Sequence, residues 1–514
     1  MNHNPVVVID FGAQYAQLIT RRVREAGIYS MLLPYTSPLD EILALRPQAI
    51  ILTGGPSNVT KTNAPKIPDG LLDCDLPILA ICYGFQAIAD NFAAKIGLAK
   101  TGEYGLVEMT LNKDGLSNPL FNNLPVKSQV WMSHEVEVKQ IPLGFVNLAS
   151  TPHTQFAAFG NFVKNIYGVQ WHPEVIHTEF GQKIMENFLY KIAKITPNWT
   201  TDYIIEEQIS AIKKQVGHNK VICGFSGGVD SAVAAALVNK AIGQNLSCVF
   251  INHGLLRLDE AEQVVADFKQ FTGANLIVID DSKVFLKKLQ GVTDPETKRK
   301  IIGEQFIRSF ENFVANLAQP YKFLVQGTLY PDVVESGGGS GTDNIKSHHN
   351  VAGLPDDMQF ALVEPLKDLF KDEVRLIGKA LGLPDRIVNR QPFPGPGLAV
   401  RIIGEVTSDN LNILRTADAI VRQELKSFAK DIWQCPVILL TQSKTVGVKG
   451  DQRHYGWPVV IRPVSSQDAM TADWFALPEQ VLTRISNRIT NEVNQISRVV
   501  LDITQKPPGT IEWE

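Results

Sequence analysis

The sequence predicts an α/β protein with two parallel-sheet domains followed by a smaller α+β C-terminal unit, and three observations carry that expectation. Short apolar runs alternate with helical patterns as far as about residue 385. The runs are continuous rather than alternating: Val6–Ile9, Ala49–Leu52, Pro77–Ile81 and Ile166–Gln170, then Val221–Phe225, Ser247–Ile251, Leu276–Ile279 and Lys322–Val325. Continuous apolarity suits strands buried on both faces, as in parallel sheets covered by helices. The chain's 514 residues also exceed what one core serves, since domains run to about 150 residues.

The joints follow from composition. The polar stretch Thr196-Pro-Asn-Trp-Thr-Thr201 separates the two sets of strands. Gln391-Pro-Phe-Pro-Gly-Pro-Gly397 can be neither helix nor central strand, because proline lacks the backbone donor and fixes φ. Domains are therefore expected over 1–196, 197–389 and 390–514. The third should hold strands near Val437–Leu440 and Val459–Arg462 and a helix over Glu479–Val493. Ser336-Gly-Gly-Gly-Ser-Gly341 should be mobile without ligand.

Apolar residues make up 44% and charged residues 20%, with a formal net charge of −4. That balance is ordinary for a globular protein and lacks the basic excess of a nucleic-acid binder. No apolar run is long enough for a membrane span, and Met1–Pro5 has no basic leader. The five cysteines, Cys74, Cys82, Cys223, Cys248 and Cys435, form no C-x-x-C. A reducing, cytoplasmic setting is expected, without a disulfide framework.

Ile78-Leu-Ala-Ile-Cys82-Tyr-Gly84-Phe-Gln86 reads as strand, abrupt turn and helix. A nucleophile at such an elbow needs small neighbours, here Ala80 and Gly84. The helix N-terminus favours thiolate. His172 and Glu174 lie two apart in extended chain after another strand, so both side chains leave one face. Glu174 can fix the imidazole tautomer while His172 exchanges a proton with Cys82. Thr53-Gly54-Gly55-Pro56 supplies amides for an oxyanion.

Residues 5–192 with these motifs resemble the class I glutamine amidotransferases. The resemblance implies a γ-glutamyl thioester on Cys82, release of ammonia, and hydrolysis to glutamate. It places the oxyanion near the amides of Gly55 and Tyr83, and gives Gln86 a hold on the substrate glutamine. Ala80 stands where the family usually has glycine, Phe85 where it has methionine, and Ser133-His-Glu135 where Ser-His-Gly-Asp is common. His134 otherwise reads as a polar loop residue.

Ser226-Gly227-Gly228-Val229-Asp230-Ser231 follows an apolar strand and precedes the helical run Ala232–Val238. Glycines let backbone approach phosphate oxygens, the two hydroxyls donate, and the helix N-terminus adds positive potential. Asp230 would repel phosphate unless it binds a cation, so Mg²⁺ with ATP is implied. No lysine follows the glycines, which excludes the Walker pattern. The motif resembles the N-type ATP pyrophosphatases, implying adenylylation of a substrate oxygen. Adenine is expected beyond the strand ends near Val249–Ile251, and Lys367 and Lys371 are candidates for charge at the departing pyrophosphate.

Within that superfamily, the amidotransferase head argues against tRNA thiolation, Asn2 against asparagine synthetase, and His172-x-Glu174 against a nitrilase-like head. Asp294-Pro-Glu-Thr-Lys-Arg-Lys-Ile-Ile-Gly303, Gln326–Gly337, Ile345-Lys-Ser-His-His-Asn350, Arg390–Gly397 and Lys506-Pro-Pro-Gly-Thr-Ile-Glu-Trp-Glu514 resemble the glutamine-hydrolysing GMP synthases along the whole chain. That implies XMP, ATP and L-glutamine as small-molecule substrates, Arg299, Lys506 and Glu512 at the XMP site, and a homodimer through the third domain. Lys346, His348 and His349 are further candidate ligands. A ligase acting on another acceptor, and a catalytically dead homologue, are the competing readings. Because ammonium has no lone pair, nucleotide binding is expected to close the glycine loop and the Asp294–Gly303 segment and to couple the two activities.

Overall fold

The computed structural model of the chain describes residues 4–316, 321–337, 360–466 and 471–514. It divides into two compact units, residues 1–204 with 334–339 and residues 205–333 with 340–514.

The first unit is built on a nine-stranded sheet. In chain order its elements are β1 (Val6–Asp10), α1 (Ala16–Glu25), β2 (Ser30–Pro34), β3 (Ala49–Leu52), β4 (Ile78–Ile81), α2 (Tyr83–Asn91) and β5 (Ile96–Leu111). They continue with β6 (Lys127–Val138), β7 (Val146–Ser150), β8 (Ala158–Asn161), β9 (Ile166–Val169) and α3 (Gly181–Asn187). The spatial order is β2-β1-β3-β4-β9-β8-β7-β5-β6. The first five strands run parallel and the rest pair antiparallel.

Burial explains the continuous apolar runs. Val6, Val8, Ala49, Ile51, Leu79 and Ile81 join one core, while Val7, Ile9, Ile50, Leu52, Ile78 and Ala80 join the core on the opposite face. Each buried Val, Leu or Ile contributes roughly 1.5–3 kcal/mol. The antiparallel half uses a different pattern. In β6, Ser128, Val130, Met132, His134, Val136 and Val138 are buried, with more exposed residues between them. His134 is thus a buried strand residue, 5% exposed, rather than part of a polar loop. A strand with one covered face alternates, so it escapes a search for continuous runs.

The second unit opens with β10 (Val221–Gly224), α4 (Val229–Ile242), β11 (Leu246–Asn252), α5 (Glu260–Thr272), β12 (Asn275–Asp280) and α6 (Pro295–Ala315). It continues with β13 (Phe323–Val325), β14 (Ala361–Val363) and α7 (Lys371–Ala380). The sheet order is β12-β11-β10-β13-β14, all parallel, which sets the phosphate-loop strand at the centre. After the proline segment a 3₁₀ turn begins at Gly397 and leads into β15 (Ile402–Ile403).

Next come α8 (Ser408–Glu424), β16 (Val437–Leu440), β17 (Thr445–Lys449), β18 (Gln452–Ile461), α9 (Glu479–Glu492) and the strand Ile496–Leu501. The strand expected near Val459 is longer than expected and starts at Gln452. One apolar cluster joins Ile222, Val249 and Ile251 of the parallel sheet to Leu398, Leu414, Val437, Val459 and Ile485. Among the described residues no helix is long and apolar enough to cross a membrane. The glycine run from residue 338 onward, with Lys346, His348 and His349, lies outside the described residues.

Candidate functional site

Cys82 occupies the turn between β4 and α2 with φ 50° and ψ −100°. That region is sparsely populated for a side-chain-bearing residue and costs about 1–3 kcal/mol, so the surroundings must hold it. They do: Cys82 N donates to Val169 O at 2.9 Å and Gly84 N to Thr53 O at 2.9 Å. Glycine is required at position 84, where a Cβ would lie 2.8 Å from Leu52 Cβ, 2.8 Å from Leu52 O and 2.9 Å from Thr53 O.

His172 follows β9, and its Nδ1 lies 2.6 Å from Glu174 Oε1, with both residues buried. Burial opposes a charged imidazole. The Glu174 carboxylate and the neighbouring Cys82 sulfur, each also a hydrogen-bond partner, outweigh it and hold His172 well above the usual histidine value. Arg22 Nε anchors the turn that follows by donating to Glu174 O at 2.9 Å. Gly54 borders the pair, since a Cβ there would sit 3.1 Å from His172 Cε1 and 3.6 Å from Cys82 Cβ. A Cβ on Gly55 would meet Phe11 O at 2.9 Å. Tyr83 is 1% exposed and its hydroxyl donates to Pro65 O at 2.6 Å. Cysteine, histidine, glutamate and both glycines therefore surround one point in the first unit.

Gln86 is 4% exposed, and its Nε2 donates to Val136 O at 2.9 Å and to Gln170 Oε1 at 3.1 Å. Gln170, which sequence reasoning did not single out, brings its Nε2 to 3.7 Å from Cys82 Sγ. No local spacing marked it, since Gln86 and Cys82 come from other segments of the fold. His134 binds Val136 O at 2.9 Å and Glu103 at 3.2 Å. Burial works against the charge on Glu103, yet bonds from His134, Thr154 and Thr151 bring its carboxyl down to about 2.

In the second unit the phosphate loop bends at Gly227, φ 77°, a conformation natural to glycine. Ser226 Oγ lies 3.2 Å from Ser231 Oγ and accepts from Gly228 N at 3.3 Å. Gly228 caps α4, and Val229, its first residue, is buried. Asp230 Oδ2 pairs with Lys371 at the start of α7, whereas its buried Oδ1 has no hydrogen-bond partner among the described residues. Arg390 ties Glu260 to the Gly227 carbonyl, a connection sequence reasoning missed. Val249 is fully buried in the shared core, and its carbonyl accepts from Phe225 N at 2.8 Å.

Asp294 caps α6 through Thr297 N at 2.8 Å, so Pro295–Gly303 belongs to a regular helix. Arg299 on that helix reaches the backbone oxygen of Glu514, and Lys298 Nζ lies 2.6 Å from Glu514 Oε2. Glu512 grips the guanidinium of Arg401 with two bonds of 2.9 and 2.8 Å and also accepts from Gln434. Lys506 pairs its backbone with Ala472. The structure thus brings Arg299 and the tail together through Glu514.

Residues 7–192 match the model of the family described as glutamine amidotransferase class-I, residues 203–328 that of NAD synthase, and residues 422–513 that of the GMP synthase C terminal domain. The chain is 57% identical to a GMP synthase [glutamine-hydrolyzing] of Streptomyces coelicolor over 99% of this chain and 98% of that protein. It is also 57% identical to the protein of that name from Bifidobacterium longum, over 100% of this chain and 97% of the relative. The Corynebacterium glutamicum (strain ATCC 13032) protein of that name is 56% identical over 100% and 99%. With that likeness running from end to end, the chain belongs to the glutamine-hydrolysing GMP synthase family.

Proposed function

We propose that the chain converts XMP, ATP, glutamine and water to GMP, AMP, diphosphate and glutamate. The carrying observation is that one chain holds both a strained Cys82 served by His172–Glu174 and a Ser226–Ser231 loop at a helix N-terminus. Residues 1–196 supply the glutaminase, 197–389 the ATP pyrophosphatase, and 390–514 the C-terminal part of the XMP site.

In the first reaction His172 takes the Cys82 proton, and the thiolate attacks the carboxamide carbon of glutamine. The oxyanion forms near the amides of Gly55 and Tyr83, and Gln86 borders the glutamine pocket. His172 returns the proton to the departing nitrogen, releasing ammonia. Glu174, bonded at 2.6 Å, stabilises the imidazolium throughout. Water, deprotonated by His172, then cleaves the thioester to glutamate.

In the second reaction the XMP O2 attacks the α-phosphorus of ATP and diphosphate leaves. Ammonia then attacks C2 and displaces AMP. Ser226, Gly227, Gly228, Val229 and Ser231 cradle the phosphates by backbone and hydroxyl donors. Asp230 fits a hard cation, because one of its oxygens is buried beside an anion-binding loop and has no hydrogen-bond partner among the described residues. Mg²⁺ held there with the phosphates would neutralise charge on the departing diphosphate. Arg299 and Lys506 suit the XMP 5′-phosphate and Glu512 the purine N–H groups. Val249 backs the adenine pocket from the core.

Cytoplasmic location and homodimerisation through the C-terminal sheet belong to the same reading. Val446 and Tyr455 are cross-strand partners 50% and 57% exposed, and Val448 is 80% exposed. Such an apolar face suits a second copy of the chain. The decisive test is Cys82→Ala assayed with glutamine and, separately, with ammonium at alkaline pH. Glutamine-dependent synthesis should vanish while ammonium-dependent synthesis persists, with AMP and diphosphate as products. ADP and orthophosphate instead would overturn the proposal.

A further inference from the structure

We propose that Gln170 is a further catalytic residue, donating its amide N–H to the sulfur of Cys82, and that Gln86 is the positioning residue that fixes the direction of that amide. The inference rests on Cys82 being the glutaminase nucleophile.

Hydrogen-bond direction fixes both amides. A side-chain amide can be reversed without changing its shape, so its orientation must come from its partners. Val136 O is a backbone carbonyl and can only accept, so the Gln86 atom 2.9 Å away is its nitrogen. The second hydrogen of that nitrogen faces Gln170 at 3.1 Å, which makes the facing atom the Gln170 oxygen. The Gln170 nitrogen is thereby turned to Cys82 Sγ at 3.7 Å. A backbone carbonyl thus sets two amides in series, and the last of them presents a donor to the nucleophile. Gln170 is 0% exposed and Gln86 4%, so water does not compete for these contacts.

A second contact suits the thiol. Ser133 O lies 3.7 Å from Sγ, where it accepts the S–H proton. Once His172 has removed that proton, the carbonyl faces an anion, and the Gln170 N–H becomes the compensating donor. Its bond therefore strengthens as charge develops on sulfur, which accelerates chemistry rather than substrate binding. Gln170 and His172 both approach Cys82 from the bend that follows β9.

The test reads Cys82 directly. Gln170→Leu removes the donor at similar volume and should slow iodoacetamide alkylation of Cys82 at neutral pH about tenfold, the effect of one hydrogen bond to a charged group. Glutamine-dependent kcat should fall by a similar factor, with KM within about twofold. Gln86→Leu should give the same signature, and the double variant should be no worse than either single one, because Gln86 acts through Gln170. Gln86→Leu raising KM while leaving kcat and alkylation unchanged would make Gln86 a substrate ligand and overturn the relay. Unchanged alkylation in Gln170→Leu would overturn the donor role. Should Gln170→Leu unfold the first unit, seen as loss of that unit's calorimetric transition, Gln170→Glu reads the same alkylation rate and should be slower still. Failure of the underlying reading is distinct: Cys82→Ala would then keep its glutamine-dependent activity.

Discussion

Gly181→Ala adds one methyl group, yet it should silence the glutaminase. A Cβ at Gly181 would stand 1.9 Å from Pro173 O, 2.8 Å from its carbonyl carbon and 3.2 Å from its Cα. Non-bonded heavy atoms settle near 3.5 Å, so the two segments must part by about 1.5 Å. Pro173 lies between His172 and Glu174, so much of that movement falls on the pair proposed to serve Cys82. Neither side is free to absorb it alone. Ile184 and Met185 are buried, and Asn187 Nδ2 anchors α3 to Leu120 O at 3.0 Å and Asn122 O at 2.9 Å. On the other side, His172 N donates to Trp131 O at 3.0 Å, and Thr178 Oγ1 donates to His172 O at 2.6 Å.

A displacement of about 1 Å costs roughly a hundredfold in rate, and overpacking costs about 1–3 kcal/mol. The expected outcome is a glutamine-dependent rate lowered about a hundredfold. Ammonium-dependent synthesis serves as the reference for the second unit. The calorimetric transition of the first unit should drop by several degrees, at about 2–4 °C per kcal/mol for its size. A glutamine-dependent turnover close to that of the unsubstituted protein would refute the reasoning, since it would mean that the close approach has no bearing on His172 and Glu174.

Glu174→Gln should slow glutamine use and flatten the pH dependence of stability. His172 is raised well above its usual value, so the pair's stabilisation is complete below about pH 6.5 and is lost as pH climbs through the raised folded value. Melting curves through alkaline pH should decline less steeply in the variant. Asp230→Asn should impair glutamine- and ammonium-dependent synthesis alike and weaken ATP binding, measured as KM for ATP with each nitrogen source. Glu512→Gln should destabilise the second unit by about 2–4 kcal/mol in urea titration, because it leaves the wholly buried Arg401 guanidinium without its bidentate partner. An unchanged midpoint would show that Asp418, 3.8 Å away, suffices as counter-ion.

What the sequence disclosed was what is local along the chain. Strand β3 falls on Ala49–Leu52 and β16 on Val437–Leu440, as the apolar runs predict, because a strand covered on both faces has no polar side to interrupt it. The Cys82 elbow was legible because its small neighbours are local in sequence, whereas His172 and Glu174 meet in a turn beyond β9 rather than along the extended chain expected. The hairpin β5–β6 was not. Its members alternate, and its register shifts between Leu98 and Glu103. Gln170 and Gly181 were also hidden, because their neighbours, Gln86 and Cys82 for one and Pro173 for the other, come from segments that the fold alone brings beside them.

The tail gives the sharpest case of this limit. Read singly, Glu512 and Glu514 are charges near the end of the sequence. In the fold they face Arg401 and Lys298, two cations with no exposed surface. A buried cation is tolerated only with a partner and further hydrogen bonds. Lys298 has these in Ile402 O at 2.7 Å and Glu514 Oε2 at 2.6 Å. The tail carboxylates are therefore structural before they are anything else. Under the proposed role of Glu512, a purine would have to use lone pairs that Arg401 and Gln434 leave over, which would tie its binding to the integrity of the core beneath.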